Sequence, residues 1–201
     1  MTKNKSVSPS AREKLKRERI LQATLACIER FGVEKTTFDD VTQASGMSRM
    51  SVYRVFRTRA DLLDALVVER LKSLMHKITT VVDSASTFED AIIYGSIKSI
   101  ELTKEDEILF SLIENTHNQS VDRLLIDPGT PVEKMIDDVW GNIFSKARKQ
   151  KILREDQTNS ELLTWLRSIH FLLFLRDDLD VQGQISFISK YALPAMLNQN
   201  K

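Results

Sequence analysis

The chain has 201 residues, 29 Lys and Arg against 28 Asp and Glu, 42% hydrophobic residues, and only 6 Gly and 4 Pro, a composition that suits one or two helix-rich units with a real core. The single Cys27 excludes an intrachain disulfide, and no apolar run approaches the ~18 residues needed to cross a bilayer, Phe171 to Leu175 being the nearest. The N-terminus is polar and lacks a signal peptide's apolar segment, so a cytoplasmic protein with no membrane partner is expected. The near-neutral total hides an asymmetry: residues 1–60 hold 13 Lys and Arg against 6 Asp and Glu, and the remainder holds 16 against 22. Attraction to phosphates would be concentrated in the first third of the chain.

Residues 1–10 read as a disordered tail. A first helix follows from about Ala11 to Phe31, with Ile20, Thr24, Cys27 and Phe31 on its core side and Gly32 at its end. Cys27 lies on that inner side, which favours packing over redox sensing. Thr37 opens a second helix with Asp40 three residues on, the pattern of an N-cap with an acidic N3 partner. Phe38, Val41 and Ala44 recur at helical spacing as a buried stripe, and Gly46 stops the helix where a left-handed residue costs least. Ser48 can cap a third helix, whose apolar side is Val52, Val55 and Phe56. Its other side carries Arg49, Met50, Ser51, Tyr53 and Arg54. A short helix with that face, held across a tight turn, is what a helix-turn-helix places in the major groove of DNA. An ordinary helical hairpin with a solvated basic face would share the turn. The combination of caps, stripe, turn and local charge favours DNA.

Residues 36–63 resemble the DNA-binding region of the TetR (tetracycline-repressor) family of bacterial transcription regulators. The matching residues are Thr37, Ala44-Ser45-Gly46-Met47-Ser48 at the turn, Ser51-Val52-Tyr53, Phe56, and Thr58-Arg59-Ala60-Asp61-Leu62-Leu63. Ala11 to Gly32 fits the same family's first helix. Met50 and Arg57 depart from the pattern, standing where many members have a small residue and a Pro or Gly respectively. The resemblance implies an all-α fold, with a helix-turn-helix DNA-binding domain at 11–57 and a helical effector-binding and dimerisation domain at 58–201.

Thr58, with Asp61 three residues on, starts a long fourth helix that Leu62, Leu63, Leu66, Val67, Leu71, Leu74 and Ile78 carry to about Val82. Ser84-Ala85-Ser86 breaks the chain, and Thr87 with Asp90 opens a fifth helix holding Ile92, Ile93, Ile97 and Ile100. A sixth, from about Lys104 to Asn115, buries Ile108, Leu109, Leu112 and Ile113. His117 to Ile126 is ambiguous. After Asp127-Pro128-Gly129, the residues Thr130, Pro131 and Glu133 supply cap, N1 proline and N3 acid for a helix ending near Lys149. Two more helices follow at about 159–176 and 182–197. No run of alternating residues argues for a sheet.

The last two helices are apolar around much of their circumference, through Leu162, Leu163, Leu166, Ile169, Leu172, Leu173 and Leu175, then Ile185, Phe187, Ile188, Tyr191, Ala192 and Leu193. Such a hairpin has more apolar surface than one subunit can bury, and in the TetR family the equivalent pair packs against its copy. A monomeric core is the alternative. A homodimer would read an inverted repeat in double-stranded DNA and multiply the specificity of one short helix.

For DNA contact, Arg49 could donate to a guanine edge or a phosphate, and Met50 and Ser51 could meet a thymine methyl or a base acceptor. Tyr53, Arg54 and Thr37 fit phosphate contacts, beside the Ser48 cap, and Arg59 fits the family's backbone-binding cation. Such contacts position the protein, whereas base contacts specify the sequence. By resemblance the second domain encloses a pocket for a small apolar or aromatic effector, with Tyr94, Phe110, Glu114, His117, Trp140, Phe144, Trp165 and His170 as candidate lining residues. The usual mode of the family is repression.

No catalytic or metal site and no cofactor is expected. Glu114 and His117 form one E-x-x-H step, but a di-iron bundle needs a second, and neither His76 nor His170 has an acid three residues before it. Phosphate loops and nucleophile elbows are absent. A helical small-molecule carrier or scaffold without a transcriptional role stays open as the alternative.

Overall fold

The computed structural model describes residues 9–114 and 119–198, and the chain divides into two compact units, one up to Val67 and one from Val68. Among the described residues the secondary structure is helical, with a single isolated antiparallel bridge between Leu153 and Leu197 and no strand.

The first unit holds α1 (Pro9–Phe31), α2 (Phe38–Ser45), α3 (Arg49–Val55) and the first turns of α4 (Arg59–Ser84). Helix α1 starts earlier than its apolar pattern suggested, so Pro9 and Ser10 are helical; residues 1–8 of the expected tail lie outside the described residues. Its inner face buries Ile20, Thr24, Cys27 and Ile28, and the Thr24 hydroxyl donates to the Ile20 carbonyl at 2.8 Å, so no polar atom there is stranded. Burial also pushes the Cys27 thiol above its ordinary pKa, which keeps it protonated and unreactive. Phe31 departs from the expected core side. It is 38% exposed, with the Arg30 guanidinium 4.9 Å above its ring.

Ala44 is likewise exposed rather than buried. The inner stripe of α2 runs through Val41 to Ser45, and the Ser45 hydroxyl donates to the Thr42 carbonyl at 3.0 Å. Spacings of three and four residues both return to one helical face, and the neighbours select between them.

The second unit holds the rest of α4, then α5 (Phe88–Glu105), α6 (Glu107–Glu114), α7 (Gln119–Ile126), α8 (Pro131–Lys149), α9 (Asn159–Phe174) and α10 (Val181–Phe187). The side chains of Thr87, Thr130, Thr158 and Asp180 each accept from the backbone N–H three residues on, and Pro131 fills the first turn of α8. The sixth helix begins at Glu107 rather than near Lys104. Asp106 breaks the run: its Oδ1 caps the Leu109 N–H at 3.0 Å while its Oδ2 holds Arg70 at 2.6 Å. The last helix is not continuous to Leu197. It passes through a π-helical turn at Ile188–Ala192, and the chain then returns to the spacer before α9, where Arg154 N–H donates to the Met196 carbonyl at 2.9 Å.

Ile92, Leu109, Trp140, Phe144, Leu162, Leu166 and Leu173 are the deepest side chains of this core. Phe144 meets Phe88 edge-on at 5.3 Å. Gly95 seats Trp140: a Cβ at that position would lie 2.5 Å from the indole edge and 2.7 Å from Val82 Cγ2.

Candidate nucleic-acid interface and effector cavity

In the first unit, α2 and α3 are joined across Gly46, Met47 and Ser48. Thr37 and Asp40 form a reciprocal capping box, and this pairing with Thr37 holds the Asp40 carboxyl below its ordinary pKa. Gly46 takes φ +61°, where a side chain is strained, and Ser48 caps α3 through the Ser51 N–H at 3.2 Å. Val52 and Phe56 turn inward and are buried, and Arg17 lies 4.8 Å over the Phe56 ring.

The opposite side of α3 is open. Met50 is 69% exposed, an unusual state for a thioether and one that places an apolar, polarisable contact at the front of the helix. Arg49 sits beside it, with Nη1 3.3 Å from Asp39 Oδ1 and its guanidinium 5.5 Å over the Tyr53 ring. Ser51 Oγ is 2.8 Å from Ser48 Oγ, and Arg54 is exposed on the following turn. Tyr53 is half-exposed and stacks on Phe38 at 4.6 Å and 19°, an arrangement that joins α2 to α3 on the outer side. Phe38 and Asp39 thus serve the site in ways the helical stripe did not disclose.

Arg59 is engaged within the fold. Its Nε donates to the Thr36 carbonyl at 3.0 Å and its Nη2 to the Val33 carbonyl, closing the turn before α2.

The second unit contains a cavity of about 100 Å³, walled by α4 to α9 and apolar over most of its surface. Of the expected lining residues, Trp140 and His170 reach it. Phe110 meets the wall residue Phe174 with ring centroids 5.4 Å apart and planes tilted by 53°, and Phe144 is sealed against Phe88. Tyr94 and Glu114 are exposed to solvent, and the Trp165 indole N–H donates to the Ala192 carbonyl at 3.2 Å. None of these five lines the cavity; His117 lies outside the described residues. His170 Nε2 is 2.8 Å from Ser96 Oγ, its ring 5.7 Å from Trp140, and burial lowers its pKa to about 4. Arg167, which also lines the cavity, was not among the expected residues; a lone cation between Leu166 and Ile169 was its signal.

Among the described residues no group of three or more His, Cys, Asp or Glu could hold a metal ion, and no helix is long and apolar enough to cross a membrane.

Residues 20–66 match the family described as bacterial regulatory proteins, tetR family. Over 88 residues the chain is 33% identical to the HTH-type transcriptional regulator AqdR of Rhodococcus erythropolis, a stretch covering 44% of this chain and 39% of that protein. The structure of Thermus thermophilus FadR, a tetR-family transcriptional repressor in complex with lauroyl-CoA, is similar with a TM-score of 0.69 at 19% identity, covering 92% of this chain and 97% of that one. RolR in complex with resorcinol has a TM-score of 0.65 at 14% identity, covering 94% and 91%. At these identities the two structures establish the shared fold.

Proposed function

We propose that this chain is a member of the tetR family of bacterial regulatory proteins and a one-component, sequence-specific transcription regulator. It binds an inverted-repeat operator as a homodimer, acts as a repressor, and leaves DNA when a small apolar or aromatic effector fills its helical unit. The observation that carries this reading is the capped α2–turn–α3 pair, with Arg49, Met50, Ser51 and Arg54 on its outward face. Arg49 is suited to a guanine edge, and Met50 and Ser51 to a thymine methyl and a base acceptor. Tyr53, Arg54 and Thr37 fit backbone phosphates; Arg59 would do so with the N–H groups that its own carbonyl partners leave over. The excess of cations in residues 1–60 supplies the sequence-independent attraction.

Two further observations support the rest. Trp165, Leu172, Leu175, Val181 and Tyr191 are large apolar residues left exposed on α9, α10 and the segment between and after them, the kind of surface that a second copy covers. The cavity is lined largely by apolar side chains, and FadR and RolR, which share this fold, hold lauroyl-CoA and resorcinol. Leu71, Met75 and Ile78 of α4 are among its walls, so a ligand that distinguishes two positions of α4 would shift the population between them.

Anisotropy titrations of labelled duplexes at two salt concentrations test this. Sequence-dependent affinity that falls as salt rises is the expected result. Absent or salt-insensitive binding favours a helical carrier or scaffold.

A further inference from the structure

Arg167 of α9 lines the cavity and is 3% exposed. Its Nη2 donates to the Ile126 carbonyl at 3.0 Å and lies 3.3 Å from Thr164 Oγ1, with Glu133 Oε1 at 3.6 Å. Its Nε and Nη1 are buried and have no hydrogen-bond partner among the described residues. Guanidinium donors shut away from water without acceptors are costly, so two of them on a residue that lines an apolar cavity favour an acceptor brought from outside.

The positive charge at this corner is already more than matched. Glu133 stands beside Arg167, and the Asp137 carboxyl interacts with both. A carboxylate ligand would add one more anion to a desolvated place; a neutral oxygen would satisfy the donors without doing so. Ile100, Ile136, Phe171 and Phe174 make the rest of the wall apolar. A volume of about 100 Å³ is the scale of one ring or a short chain, given that an apolar cavity of ~150 Å³ accepts benzene.

We propose that the cavity takes a neutral, largely apolar molecule bearing a carbonyl-type oxygen, which accepts from Nε and Nη1 of Arg167. This rests on the effector reading above and specifies its chemistry. The oxygen fixes one end of the ligand where α7, α8 and α9 meet at Ile126, Glu133 and Arg167, and the apolar body lies towards Trp140 and Phe174.

Three isosteric probes separate the possibilities: ethylbenzene, acetophenone and benzoate, titrated against the full-length protein by calorimetry. Acetophenone is expected to bind at least about tenfold tighter than ethylbenzene, with benzoate no better than ethylbenzene. In Arg167→Met the advantage of acetophenone disappears while ethylbenzene binding remains. The wild-type series decides alone if that variant does not fold. Equal affinity for ethylbenzene and acetophenone, or preference for benzoate, overturns the proposal. DNA release measured in parallel keeps the two levels apart. Probes that bind equally yet release DNA overturn the carbonyl inference and leave the effector reading standing. Preferred acetophenone binding without release supports the carbonyl inference and overturns the effector reading. No binding of any probe overturns both.

Discussion

His170 shows how one side chain ties the cavity to pH. Its ring is packed against Trp140, hydrogen-bonded to Ser96, and held by burial at a pKa of about 4. In the unfolded chain the same imidazole titrates at about 6.5, so between those values the unfolded state binds more protons. Stability is therefore fully present above pH ~6.5 and falls as pH drops towards ~4. Thermal melts across that window should show a steeper decline for the wild type than for His170→Asn; parallel profiles would show that the ring is not buried neutral. On α3, the roles proposed for Arg49 and Arg54 separate base from phosphate. Arg49→Ala should reduce discrimination between an operator and a mismatched duplex by about 1–3 kcal/mol, whereas Arg54→Ala should weaken both duplexes alike. Competition titrations on the two duplexes read this, and unchanged discrimination in Arg49→Ala would remove its base-reading role.

Among the elements, α5 and α8 meet where Gly95 leaves room for Trp140. Gly95→Ala puts a methyl 2.5 Å from the indole, and such overpacking costs about 1–3 kcal/mol. Chemical denaturation should show that loss together with a shift in tryptophan emission; an unperturbed melt and spectrum would mean that the two helices are looser than the structure has them. Local chemistry was the legible part of these elements. Thr37, Thr87 and Thr130, each with an acid three residues on, announced helix starts because a cap is decided within one turn. The turn at Gly46 was legible for the same reason. What tertiary neighbours decide was not. Phe31 and Ala44 fit the helical stripe yet face solvent, and the π-helical turn after Phe187 leaves no mark in the apolar pattern. In the cavity, Trp140 and His170 were found because large aromatic and imidazole groups are scarce, while Arg167 reads as a surface cation until its burial is seen. Arg59 fits a family position, but its hydrogen bonds to Thr36 and Val33 depend on how the chain closes before α2.

The whole molecule combines a basic N-terminal unit with a more acidic helical unit whose last helices leave apolar side chains uncovered. Leu172 and Tyr191, 41% and 63% exposed, are suited to a partner copy. Leu172→Glu with Tyr191→Glu should shift sedimentation from dimer to monomer and weaken binding to a full inverted repeat by about a hundredfold, while a half-site is bound as before. A dimer that survives both changes would place its interface elsewhere. Sequence-specific reading of DNA by a two-fold pair is decided by selecting the purified protein against randomised duplex DNA at two salt concentrations. Enrichment of an inverted repeat, with affinity falling as salt rises, is the expected result. Failure to enrich any sequence, with only weak salt-sensitive binding left, would contradict it.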